Sequence, residues 1–174
     1  MSQRSIFTTV GNFLIYLFLQ IVIFRNFNIM DTAYCFVYVS FILLLPFEFP
    51  PLMIILLAFG YGFIIDIFYN TLGVHMAASV MLGYVRLHII NTLTPRGGYD
   101  ASTELSIASL GFQWIIVYCV VLVFVHHLFL FVLEAWGFGS LGTVLTKTFF
   151  TSLLTIFAVI LFQYLLSPVR RRSA

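Results

Sequence analysis

Charge is what this 174-residue sequence has least of: 8% of its residues are Asp, Glu, Lys or Arg. A soluble fold needs charged faces on its outer elements, and no window supplies one before the last few residues. Cysteine is nearly absent too. Cys35 and Cys119 each sit among Val, Tyr and Phe, which excludes a disulfide framework and a thiolate metal centre and leaves two buried free thiols. There is no Gly-rich phosphate loop, HExxH, GxSxG or paired-cysteine spacing. Gly60-Tyr61-Gly62 lies inside an apolar run with no strand before it, so close helix packing explains it better than a dinucleotide site. The formal net charge of +2 comes with a basic tail of only Arg170, Arg171 and Arg172, which excludes a nucleic-acid-binding surface.

What is present is hydrocarbon: 62% hydrophobic residues, 21 Phe and a mean hydropathy of +1.11. The solvent is therefore a bilayer. The apolar runs are too long and too unalternating for barrel strands, so the fold class is all-α, a polytopic membrane protein of about six transmembrane helices in a single domain over 1–174. The runs are Ile6 to Phe24, read as a retained helix and not a cleaved signal peptide, then Ala33 to about Leu45, Pro51 to about Asn70 and Val74 to Leu93. Ile107 to about Leu133 and Val144 to Leu166 complete the set. Pro51 suits the first turn of its helix. Thr94 to Glu104 is a solvated loop, and Gly137 to Gly142 a Gly-rich turn.

Lys and Arg set the orientation. Arg4, Arg86, Arg96 and Arg170 to Arg172 fall on one face, and Arg25 and Lys147 on the other, a tally of six to two. Both termini are expected in the cytoplasm, with the arginines snorkelling to headgroups. Trp136, Tyr99 and Tyr34 at helix ends are expected as interfacial anchors.

The stretch Phe59 to Tyr84 carries the most information. Ala58, Gly62, Asp66 and Asn70 recur every four residues, a stripe of small and polar side chains that should face protein. Thr71-Leu72-Gly73 leaves room only for a tight turn, after which His75, Ala77, Ala78, Ser79 and Gly83 begin a second small-residue face. Gly62 and Gly83 mark where the two backbones approach. A carboxylate at a helix centre costs roughly 2.5 to 3.5 kcal/mol on insertion scales. Asp66, one turn from the outer end, is read as a hydrogen-bonded carboxylate fixing this hairpin, with a partner-docking contact and a proton or substrate site as alternatives. His75 and Lys147 share its depth, and Arg86 is too deep. His126 and His127 are adjacent and point in different directions, so a polar contact between helices is expected there, not a metal site. His127 and Glu134 share a face.

The run Gly62-x3-Asp66-x3-Asn70-Thr71-Leu72-Gly73-x-His75-x-Ala77, preceded by Leu44-Leu45-Pro46-Phe47 and followed by Pro95-Arg96-Gly97-Gly98-Tyr99, resembles the bacterial rod-shape-determining MreD family. Length, helix number and orientation agree over essentially the whole chain. The resemblance implies a non-enzymatic inner-membrane subunit of the elongation machinery, without cofactor. It would support cell shape and peptidoglycan synthesis beside MreC, the filament protein MreB, the glycosyltransferase RodA and a class B penicillin-binding protein. The family's fold is similar to the substrate-binding subunits of energy-coupling-factor transporters, which makes a small-molecule-binding transporter subunit the second expectation. Those subunits dock through an Ala-x3-Ala stripe on the first helix, whereas this one reads Gly11-Asn12-Phe13-Leu14-Ile15-Tyr16-Leu17-Phe18. An intramembrane enzyme would have only Asp66 with His75 as an acid/base pair.

Overall fold

A computed structural model describes residues 3–99, 103–136 and 140–166, and within these the side chains of 6–165. Helix α1, Gln3–Phe18, continues into a π-helical turn at Leu19–Phe24. A hairpin of two-residue strands follows, β1 Asn28–Ile29 and β2 Ala33–Tyr34. Then come a five-residue helix α2, Val39–Leu43, and the long helices α3, Pro51–Tyr69, and α4, Val74–Leu93. Helix α5, Ile107–Leu110, is a single turn before α6, Phe112–Glu134, and α7 spans Leu141–Leu166. Five of these helical runs are long and apolar enough to cross a membrane. Outward-facing Phe, Leu, Ile and Val along α1, α3 and α7 give the bundle a hydrocarbon exterior. The protein is an α-helical, multi-pass membrane protein.

The second expected helix, Ala33 to about Leu45, does not form. Residues 33–34 are strand, 35–36 are irregular and 37–38 turn into α2, which is too short to span anything. Tyr34, Phe36, Val37, Tyr38 and Val39 are aromatic or β-branched, with low helix propensity and a preference for extended backbone. The segment nevertheless travels the length of the bundle. The Tyr34 ring lies 6.2 Å from that of Phe131, and Phe47 lies 6.4 Å from Trp114. Those two partners sit near opposite ends of α6, about 25 Å apart at 1.5 Å per residue. Residues 35–43 are all buried. Irregular backbone is tolerated at membrane depth only when enclosed by protein, which is the case here. Among the described residues the chain therefore makes five helical traverses and one buried irregular one, and the expected alternation of connecting segments between the two ends of the bundle survives.

Two boundaries also differ. Gly111, at φ 82° and ψ 158°, breaks the expected helix from Ile107 into α5 and α6, in a conformation that a side chain would strain. Asn70 does not continue the α3 stripe: it is the exposed left-handed cap at φ 57°. Residues 137–139 of the expected Gly-rich turn, and Arg170 to Arg172, lie outside the described residues.

Candidate functional site

Helices α3 and α4 form the tightest pair, and Gly62 shows how tight. A Cβ there would lie 2.6 Å from the Met76 Cα and 2.8 Å from the His75 carbonyl oxygen, so only hydrogen fits. Gly83 is less constrained, with the Ala58 Cβ 3.3 Å from the corresponding position. Asp66, buried, closes the hairpin. One carboxylate oxygen accepts from the His75 N–H at 3.0 Å and from the Thr71 hydroxyl, and the other from the Met76 N–H at 2.9 Å. These N–H groups belong to the first turn of α4, where no intrahelical acceptor exists and negative charge is favoured. Gly73, at φ 84°, turns the chain into that geometry. Asp66 thus receives backbone and Thr71 donors, and not the His75 ring, Asn70 or Lys147. Lys147 lies 3.7 Å from the Glu134 carboxylate, over the rings of Tyr34 and Phe131.

The His75 side chain instead turns into the core, to a residue that the sequence analysis passed over. Tyr38, on the irregular segment, has its hydroxyl 3.0 Å from His75 Nδ1 and 2.8 Å from His126 Nε2. The other His126 nitrogen, Nδ1, lies 3.1 Å from the Ala78 carbonyl, which only accepts, so Nδ1 carries the proton and Nε2 is bare. Tyr38 therefore donates to His126 and accepts from the Nδ1–H of His75. A single directional chain links α4, the irregular segment and α6.

Five further polar side chains in the core bind backbone of the irregular segment and its flanks. Gln20, carried inward by the π-helical turn and wholly buried, donates to the Cys35 carbonyl and the Tyr69 hydroxyl, and accepts from the Tyr38 N–H. Thr151 and Thr155 on α7 accept from the N–H groups of Tyr34 and Phe36, each at 3.1 Å. Tyr118 donates to the Leu43 carbonyl at 2.8 Å. Arg86, 1% exposed, donates from Nε to Tyr118 at 3.0 Å and from Nη2 to the Leu45 carbonyl. Arg86 does not snorkel. Its guanidinium is held inside the bundle, so it leaves the positive-residue tally, which falls to five against two. Side chains from four surrounding elements thus replace the hydrogen bonds that a helix would have made for itself.

Gln20, Tyr38, Tyr118, Thr151 and Thr155 were not singled out from sequence. A signal existed for two of them: Thr148, Thr151, Ser152 and Thr155 follow the 3, 1, 3 spacing of one helix face, and all four are buried. Tyr99 packs against Phe47, with centroids 4.7 Å apart, and accepts from the Trp114 indole N–H, so it is less a lipid anchor than part of the floor of the bundle. Trp136 is 94% exposed after the end of α6. Both cysteines are buried free thiols, and among the described residues no three His, Cys, Asp or Glu side chains are grouped to hold a metal. A cleft of about 680 Å³ opens beside the α3/α4 turn, walled by Phe59, Phe63, Ile67, Leu72 and Met76 with Asp66 at its edge.

Comparisons of the chain with protein-family models, with curated proteins and with solved structures find no match.

Proposed function

We propose that this protein is a non-enzymatic subunit of the bacterial elongation complex in the inner membrane, acting with MreC, MreB, RodA and a class B penicillin-binding protein, with both termini cytoplasmic. One observation carries the reading. Five of the residues behind the resemblance, Gly62, Asp66, Thr71, Gly73 and His75, meet in one joint in which each is occupied by another part of the same chain. A carboxylate whose oxygens are taken by Thr71 and by two backbone N–H groups holds shape, which suits a subunit that works by presenting a rigid surface to membrane partners.

A second reading, a small-molecule-binding transporter subunit with the energy-coupling-factor type of fold, draws on a different observation. Irregular backbone among the helices, with Tyr38 between His75 and His126, is the kind of discontinuity that marks substrate sites in transporters. Co-purification in mild detergent distinguishes the two. Recovery of MreC and the cell-wall synthases is the expected result. Recovery of an ATPase module with an integral coupling subunit would replace the first reading by the second.

A further inference from the structure

Thr148 and His127 are both wholly buried on facing helices, and each leaves a polar atom without a hydrogen-bond partner among the described residues: Thr148 Oγ1 and His127 Nε2. Other threonines in α4, at its end and in α7 satisfy themselves. Thr92, Thr94 and Thr146 donate to the carbonyls of His88, Ile90 and Gly142, four residues back. Thr148 does not. His127 is sandwiched between the rings of Phe36 and Phe131, at 5.6 and 6.4 Å, which fixes its plane, and its Nδ1 lies 3.3 Å from Ser152 Oγ. Ser152 follows Thr148 by one turn on the same face of α7, so one hydroxyl is at one edge of the imidazole and the other hydroxyl belongs to the same seam. An unpaired buried hydroxyl or ring nitrogen is destabilising in a medium with no competing water.

We propose that the α6/α7 seam is a binding site for internal water, held by His127 Nε2 and Thr148 Oγ1 with Ser152 beside it. A buried water needs two to four polar partners, and the His127 nitrogen and the two hydroxyls of this seam are of the right kind and number. One end of the seam is charged: Glu134 shares the His127 face of α6 and is half exposed, with Lys147 beside it on α7. Water held here would sit next to the irregular traverse, since Thr151 and Thr155 on the same stretch of α7 bind its backbone.

The sign of a stability change tests this. Valine has threonine's shape without its hydroxyl. If water bridges the two residues, Thr148→Val leaves His127 Nε2 unpaired, and the full chain in detergent should melt lower, by about 2 to 4 °C. If the seam is dry, the substitution removes an orphan hydroxyl, and an unchanged or higher Tm overturns the proposal. In a His127→Phe background no nitrogen remains to be stranded, so Thr148→Val should not lower Tm; the same fall in both backgrounds would overturn it as well. Should a variant fail to accumulate, a high-resolution map of the unaltered protein decides. Solvent density about 2.7 to 3.2 Å from both atoms supports the site, and a direct contact between them or no density overturns it.

Discussion

At the scale of single residues, Asp66 and Gly62 act by different physics, and their variants should fail differently. Asp66 accepts three hydrogen bonds, two on one oxygen and one on the other. Asparagine can keep the pair from Thr71 and His75, but it turns an NH2 toward the Met76 N–H. Asp66→Asn should therefore lose part of the stability, on the order of 1 to 3 kcal/mol, whereas Asp66→Leu strands all three donors and should lose most of the folded protein. Melting temperature and accumulation in detergent measure both, and equal values for the leucine variant and the parent would refute the capping role. For Gly62 the issue is space. Gly62→Leu must push α4 away, because the Met76 Cα is 2.6 Å from the first added carbon, and it should be far more damaging than Gly83→Leu, where 3.3 Å is available. Similar stability of the two variants would mean that the hairpin is looser than this geometry.

Among elements, the irregular traverse is the one whose survival depends on its neighbours. Gln20 holds it at two backbone positions, the Cys35 carbonyl and the Tyr38 N–H. Gln20→Leu inserts into a membrane easily, yet it leaves both groups and the Tyr69 hydroxyl short of a partner, at about 1 to 3 kcal/mol each. Hydrogen exchange at the Tyr38 amide should accelerate strongly in this variant, while amides in the middle of α6 keep their protection. Uniform acceleration throughout would point to global unfolding and remove the special role of Gln20. Arg86 acts at the other end of the traverse through a fork, with Nε on Tyr118 and Nη2 on the Leu45 carbonyl. A lysine offers a point donor that cannot span both. Arg86→Lys should therefore destabilise despite conserving charge, and full wild-type stability would show that the charge alone suffices.

For the whole molecule, the number of traverses decides which loops share a side. Met30 at the β1/β2 turn, Leu72 at the α3/α4 turn and Trp136 after α6 are all strongly exposed at one end of the bundle. Glu48 and Gly97 are exposed at the other. Single cysteines at these positions should fall into two groups toward an impermeant thiol reagent applied from one side of the membrane, with Met30 and Glu48 in opposite groups. Labelling of Met30→Cys and Glu48→Cys from the same side would mean that residues 35–47 do not cross. The same experiment in oriented cells tests the expectation that Glu48 and Gly97 face the cytoplasm, which rests on Arg4, Arg96 and the terminal arginines.

Composition and run length alone determined the class: with 8% charge and apolar stretches of about 20 residues, a helical bundle in lipid is the structure that satisfies its own backbone. The close approach at Gly62 was legible as well, because a four-residue spacing of small side chains maps onto one face of any helix, whatever packs against it. What residues 33–45 would do was not legible. Their hydropathy is that of a spanning helix, and the alternative depends on donors and acceptors brought from far along the chain: Gln20, Arg86, Tyr118, Thr151 and Thr155. The same holds for Arg86 and Tyr38. A local pattern says that a polar group lies at a given depth. Only the assembled bundle decides whether it meets lipid headgroup, water or the backbone of a distant segment, because hydrogen bonds depend on distance in space and not on separation in sequence.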